Sequence, residues 1–277
     1  MIRIWHQSVT ALASQPAYVG FMRQRASHVL AADTRVDLHG LDPDTHHRDL
    51  APIQAASYRW LSELNSLQVV ENVIAAQRQG YDAVAMSCFG DPQIDACRSV
   101  VDIPVLGAFE VSVQVAKSAG RAIGLLVPTR AAVRSNWARA SAYGFRDQIA
   151  LVRPCDPELD EYTMDGAFGA SRAILDGPIA TMRSMIADGV DVIIPAEGVL
   201  NALLAYHGVA ELDGVPILDS FSAVMLMAES LVNLGRKTGF RTSHAGIYRQ
   251  PKAAYIKHAR NIAVRTLSAA QAQEEKS

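Results

Sequence analysis

Two short stretches of the chain carry side chains that could do chemistry. The first is Gly80-Tyr81-Asp82-Ala83-Val84-Ala85-Met86-Ser87-Cys88-Phe89-Gly90, and the second is Gly189-Val190-Asp191-Val192-Ile193-Ile194-Pro195-Ala196-Glu197-Gly198. Each opens Gly-x-Asp and, eight residues after its glycine, reaches a reactive group: Cys88 in the first, Glu197 in the second. A thiol and a carboxyl can both give up and recover a proton, and a thiol can also attack a carbonyl. Phe89-Gly90 and Gly198-Val199 follow them. Turns of this kind offer backbone N–H groups to a developing oxyanion, so Phe89, Gly90, Gly198 and Val199 are expected to touch substrate.

The elements around these residues must place them. The small and apolar run Ala83 to Ser87 suits a parallel strand buried on both faces. Cys88 then stands where the strand stops, the place where open α/β sheets bind ligands. A second match follows in the same order: Asp102-Ile103-Pro104-Val105-Leu106-Gly107-Ala108-Phe109 against Gly214-Val215-Pro216-Ile217-Leu218-Asp219-Ser220-Phe221. Two spaced matches argue for an internal duplication, with Cys88 and Glu197 brought to one cleft. The expected fold class is α/β, with two pseudo-symmetric doubly wound domains, mainly parallel sheets and the active site between them. The first domain is expected to comprise residues 1–112 and 222–277, and the second residues 113–221.

The remaining chain alternates strand and helix. Ile2 to Trp5 predicts a strand, and His6 and Ser8 in the loop at its end are expected to contact ligand, with capping by Ser8 or Thr10 as the alternative. Helix is expected over Tyr18 to Ala31, strand over Thr34 to Leu38, and a polar loop over Asp42 to Asp49. His46-His47 in that loop reads as solvated surface rather than a metal site. Helix over Ala55 to Arg78 precedes the Cys88 strand. Pro92 opens the next helix, Cys97 within it reads as a core thiol, and Glu110 reads as a cap or contact between domains, with a hydrogen bond to substrate as the alternative. After the strand Arg121 to Val127, Thr129 stands in the ligand-facing position, with an N-cap role equally open. Helix over Ser135 to Tyr143, strand over Ile149 to Arg153 and a loop over Pro154 to Gly166 follow. Pro178 to Asp188 and Leu200 to Tyr206 predict helices, with His207 a cation at the C-terminal end of the second. Val215 to Leu218 predicts a strand and Phe221 to Asn233 a helix ended by Gly235. A last helix is expected from Lys252.

Composition narrows the function. The 277 residues are 49% hydrophobic with a net charge of -2, enough for two packed domains and no electrostatic case for nucleic acid or an anionic membrane. No apolar run reaches the roughly 18 residues of a membrane span, and the first residues do not read as a signal peptide. Three cysteines without a CxxC pair suggest neither a disulfide framework nor zinc, so a reducing cytoplasm fits. The chain has no GxGxxG and no GxxxxGK[ST]. The partner expected is a small-molecule substrate.

The Cys88-Phe89-Gly90-Asp91-Pro92 run, the Asp102 to Gly107 stretch and Leu234-Gly235-Arg236-Lys237-Thr238-Gly239 resemble the hydantoin racemase branch of the aspartate/glutamate racemase superfamily. The resemblance covers nearly the whole chain. It implies two pseudo-symmetric α/β domains, no metal or cofactor, a homo-oligomer as the assembly, and small carboxylates, hydantoins or related cyclic amides as substrates. It also implies one cysteine per domain on opposite faces of the reacting carbon, and Cys88 falls on the first. The second departs: Ala196-Glu197-Gly198-Val199-Leu200 stands where a Gly-Cys-(Ala/Thr)-Gly-Met-like run is usual, so Glu197 replaces the cysteine, or Ala196 does if the match shifts by one. The loop at His6-Gln7-Ser8-Val9 departs from an Asn-Pro-Asn-Thr-like pattern.

Three activities remain open to a Cys88/Glu197 pair. One is proton transfer at a carbon next to a carbonyl, as in a racemase, isomerase or decarboxylase. Another is hydrolysis of a cyclic amide or imide, with Cys88 as nucleophile and Glu197 as general acid/base. The third is non-catalytic binding of a small molecule.

Overall fold

The structure, a computed structural model, describes residues 1–47 and 49–274. The chain begins with β1 (Ile2–Gln7), α1 (Pro16–Val29) and β2 (Thr34–His39), then α2 (Pro52–Ala55), α3 (Arg59–Arg78), β3 (Ala83–Met86), α4 (Ile94–Val100), β4 (Val105–Leu106) and α5 (Ala108–Ala116). It continues through β5 (Ile123–Val127), α6 (Arg130–Ala142), β6 (Ile149–Pro154), α7 (Glu161–Asp165), α8 (Asp176–Ala187), β7 (Val192–Pro195) and α9 (Gly198–Tyr206). It closes with the short pair β8 (Glu211–Leu212) and β9 (Val215–Pro216), then α10 (Ser220–Thr238) and α11 (Ala253–Glu274).

Two parallel sheets result, in the orders β2-β1-β3-β4 and β6-β5-β7. Ile217 adds a parallel bridge to Ile193, on the side of β7 that corresponds to the place of β4 beside β3. The sheets therefore repeat one plan, as the duplicated sequence predicts. The repeated Gly-x-Asp has a physical task in that plan. Gly80 and Gly189 take φ of +76° and +92°, which a side chain resists. The aspartate that follows caps the start of the neighbouring strand: Asp82 accepts from the Arg3 N–H at 2.8 Å, and Asp191 from the Arg121 and Ala122 N–H groups at 3.0 and 2.8 Å.

Both faces of the first sheet are covered. Trp5, Val84, Met86 and Val105 pack with Val69 and Val73 of α3 and Cys97 of α4, which makes Cys97 the core thiol expected of it. Ile4, Ala85 and Leu106 pack on the other side into a larger core that also takes in Leu125, Ile193 and Ile194 of the second sheet. Met22 of α1, Phe109 of α5, Leu200 of α9 and Val224 of α10 join that core. Each large side chain fully buried there contributes about 1.5–3 kcal/mol. Helix α10 lies against β1, β3 and α5 as well as α1 and α9.

Several elements differ from expectation. Residues 154–166 are not all loop: Asp160 accepts from the Thr163 N–H and starts α7. The helix expected from Ala55 is broken between α2 and α3. The strand expected over Val215 to Leu218 is only β9 plus the Ile217 bridge. Helix α10 runs through Gly235 and ends at Gly239, which takes the left-handed conformation at φ 77°. Gly235 serves a close approach instead, since a Cβ there would lie 3.0 Å from the Phe240 carbonyl oxygen. Glu110 pairs with Arg98 at 2.5 Å. Among the described residues, no helix is long and apolar enough to cross a membrane.

Candidate active site

The carboxyl ends of β3 and β7 meet. A Cβ built on Gly198 would sit 3.1 Å from the Ser87 carbonyl oxygen and 3.0 Å from the Tyr18 hydroxyl. The residue after Glu197 thus presses against the residue before Cys88, and a side chain there would force its neighbours to give by a few tenths of an ångström. Beside this contact opens a cavity of about 410 Å³, lined by Cys88, Phe89 and Gly90 from the first half and by Ala196, Glu197, Gly198 and Val199 from the second.

The two reactive groups are held differently. Five residues separate Cys88 from α4, and they form a turn in which Asp91 and Gln93 take φ of +40° and +54°. The Cys88 sulfur accepts one hydrogen bond, from the Gly90 N–H at 3.2 Å. Burial pushes the thiol up to about 12, while the Gly90 N–H and Arg139 pull the other way, and the nearby carboxyls of Asp91 and Glu197 push further up. Cys88 is therefore a neutral S–H at physiological pH. Asp91 anchors its loop: the carboxylate accepts from the Phe109 and Glu110 N–H groups at 3.1 and 3.2 Å and from the Tyr143 hydroxyl at 2.9 Å. Arg139 Nε donates to the Gly90 carbonyl at 2.9 Å.

Glu197 has no such loop after it, because α9 starts at the next residue. Its carboxylate caps that helix, Oε1 accepting from the Val199 N–H at 3.0 Å and Oε2 from the Leu200 N–H at 2.7 Å. Burial raises its pKa, and the N–H groups of Leu200, Val199 and Gly198 oppose that rise. The side chain is both a helix cap and a wall of the cavity.

Ser8 also lines the cavity, with its hydroxyl 3.1 Å from that of Thr10, and neither residue caps α1. His6 and Thr129 are not among the lining residues. The His6 ring is fully buried behind the strand end, where its Nε2 shares a 2.6 Å hydrogen bond with Ser87 Oγ. Burial holds its pKa down at about 3, so the ring stays neutral and can reach a ligand only through Ser87. Thr129 starts α6, and its hydroxyl has no hydrogen-bond partner. His46 does line the cavity, its two ring nitrogens buried and unpartnered, while His47 lies outside beside Asp49. Among the described residues, no group of three His, Cys, Asp or Glu side chains is placed to hold a metal ion.

Among the polar residues of the cavity wall that sequence reasoning did not find are Gln15, Asn136, Arg139 and Glu161. Three of them, Gln15, Asn136 and Glu161, are buried and each keeps one side-chain polar atom without a partner. For Glu161 a signal existed in Asp160-Glu161-Tyr162-Thr163, an N-cap pattern inside what reads as loop.

Comparison with known proteins identifies the family. The family model described as Asp/Glu/Hydantoin racemase matches residues 45–228. The chain belongs to the Asp/Glu/hydantoin racemase family. It has the two-domain α/β fold of that family. A hydantoin racemase from Pseudomonas sp. (strain NS671) is 27% identical over 179 residues, covering 61% of this chain and 66% of that relative, just under two thirds of its length. The allantoin racemase from Klebsiella pneumoniae superposes with a TM-score of 0.73 at 23% identity, covering 91% of this chain and 94% of the other. The allantoin racemase AllR from Pseudomonas fluorescens gives 0.70 at 21% identity, covering 91% and 97%.

Proposed function

We propose that the protein catalyses cofactor-independent proton transfer at a carbon next to a carbonyl, in a small cyclic amide or ureide of the hydantoin and allantoin kind or a small carboxylate. Cys88 and Glu197 act from the two halves of the molecule. The observation that carries this reading is their opening onto one cavity at strand ends that touch through Gly198 and Ser87.

The different settings of the two groups suggest their resting roles. Helix N–H groups favour an anion, so Glu197 waits as carboxylate and takes the proton from carbon. Cys88 waits as thiol and returns a proton to the carbon from the other side. The negative charge passes from Glu197 to Cys88, so the charge of the pocket does not change. Running the steps backwards, from thiolate and protonated Glu197, converts the opposite hand. The Gly90 N–H already meets the Cys88 sulfur and would hold the thiolate. With one face alone active, the site would give one-sided protonation, as in a decarboxylase. Hydrolysis by Cys88 has less support, because the hydrogen-bond partner of its sulfur is an N–H donor and not a base.

The test is incubation in D2O with each enantiomer of a 5-substituted hydantoin, of allantoin and of aspartate. Deuterium on the asymmetric carbon together with loss of optical activity is the expected result. A ring-opened acid without carbon-bound deuterium would replace this reading with hydrolysis.

A further inference from the structure

Glu161 has no part in the scheme above, yet it is 4% exposed, lines the cavity and leaves its Oε2 without a hydrogen-bond partner. It stands in the first turn of α7, which packs on α9, the helix that Glu197 caps. A charged carboxylate oxygen facing no donor in a closed wall is strongly disfavoured, and a carboxylic acid there is not. Two carboxyl groups sharing one wall do not both ionise. Which of them keeps the proton is decided by the hydrogen bonds. Both oxygens of Glu197 are held by α9 N–H groups, which favour the anion, whereas Glu161 has an oxygen with nothing to stabilise charge.

Resting on the proton-transfer reading, we propose that Glu161 is a second catalytic carboxyl: it stays a neutral acid beside ionised Glu197 and donates its Oε2–H to the substrate carbonyl oxygen, stabilising the enolate. When Glu197 takes the carbon-bound proton, the electron pair of the broken C–H bond moves onto that oxygen. The Glu161 O–H meets the new charge without leaving Glu161. Cys88 then protonates the carbon and becomes thiolate, and the proton held by Glu197 returns to it through solvent or through the reverse turnover.

The groups around Glu161 act mostly in one direction. Burial comes first, then Glu197 of α9 and Asp160 ahead of its own helix, and together they push its pKa up to about 8. The Glu161 and Ile53 backbones offset part of this, and Tyr18 of α1, on the same cavity, is itself pushed up and stays protonated.

The experiment compares wild type with Glu161→Gln and Glu161→Ala by infrared spectroscopy and by deuterium exchange into a 5-substituted hydantoin. The wild type minus Glu161→Gln difference spectrum should show a protonated carboxyl band at pH 7 that fades as pH rises through about 8. Glu161→Gln keeps a donor and cannot ionise, so it should retain exchange within about tenfold and lose the alkaline fall in kcat/KM. Glu161→Ala should lose about 10²–10³-fold in kcat, the loss typical of one oxyanion donor. Three results would each overturn the proposal: no such band, a wild-type alkaline limb in Glu161→Gln, or wild-type exchange in Glu161→Ala. If wild type exchanges while the band is missing, only the role of Glu161 fails. Wild type that exchanges no deuterium overturns this proposal and the proton-transfer reading together.

Discussion

The ends of β3 and β7 are two versions of one design. In both, a positive-φ glycine turns the chain, an aspartate caps the strand next door, and five buried residues lead to a reactive side chain. They part at the following residue. After Cys88 the chain makes a turn before α4, which leaves the sulfur with a single N–H partner. After Glu197 the helix begins at once, and the carboxylate takes two N–H groups. Where the helix starts therefore sets which donors each group meets. The N–H groups at the start of α9 oppose the rise that burial gives the Glu197 carboxyl, whereas the Cys88 sulfur accepts from the Gly90 N–H alone.

Removing the thiol should have the largest effect. Cys88→Ala should reduce deuterium exchange by about 10³-fold, near the middle of the range for a proton-transferring side chain. Full activity in that variant would show that the β3 end is not the reacting one.

Glu197→Gln comes next, with exchange expected to fall about 10²-fold. Glutamine has one acceptor oxygen in place of two, so the loss of about 1 kcal/mol of stability should accompany it in thermal unfolding. Glu197→Cys sharpens the comparison, because it gives both halves a thiol. A helix N-terminus draws a thiol toward thiolate, so that variant should exchange faster than Glu197→Gln.

The layer behind the pocket should show itself as acid sensitivity. The folded pKa of His6 is held near 3, below its ordinary 6.5, so the unfolded chain binds the proton more readily. Its contribution is complete above pH 6.5 and is lost as pH falls toward 3, at up to about 1.4 kcal/mol per pH unit. Denaturant titrations of wild type and His6→Gln at several pH values measure this, and parallel pH profiles would assign the acid loss to other groups.

The smallest effect tests the symmetry itself. Asp82→Ala and Asp191→Ala each leave strand-start N–H groups without their carboxylate, which should cost about 1–2 kcal/mol in each half. A cost confined to one half would mean that the repeated Gly-x-Asp supports only one sheet.

Much of this was legible in the order of residues. Hydrophobic runs of four or five residues, alternating with helical stretches, identify buried parallel strands, and the Gly-x-Asp spacing reveals the repeat. Both signals are local, because they depend on neighbours in the chain. The CFGDP run points to Cys88 and the repeat points to Glu197. What local signals do not carry is which side chains share a wall. Glu161 lies 36 residues before Glu197 on a five-residue helix, and its role depends on α7 packing against α9. His6 stands at a strand end like a ligand residue, yet its ring turns inward to Ser87, while His46, on a loop that reads as surface, lines the pocket. The sequence by itself determined the repeated scaffold and the positions of its two reactive side chains. The tertiary structure decided their burial and their company, because exposure and hydrogen-bond partners are set only when distant segments are packed together.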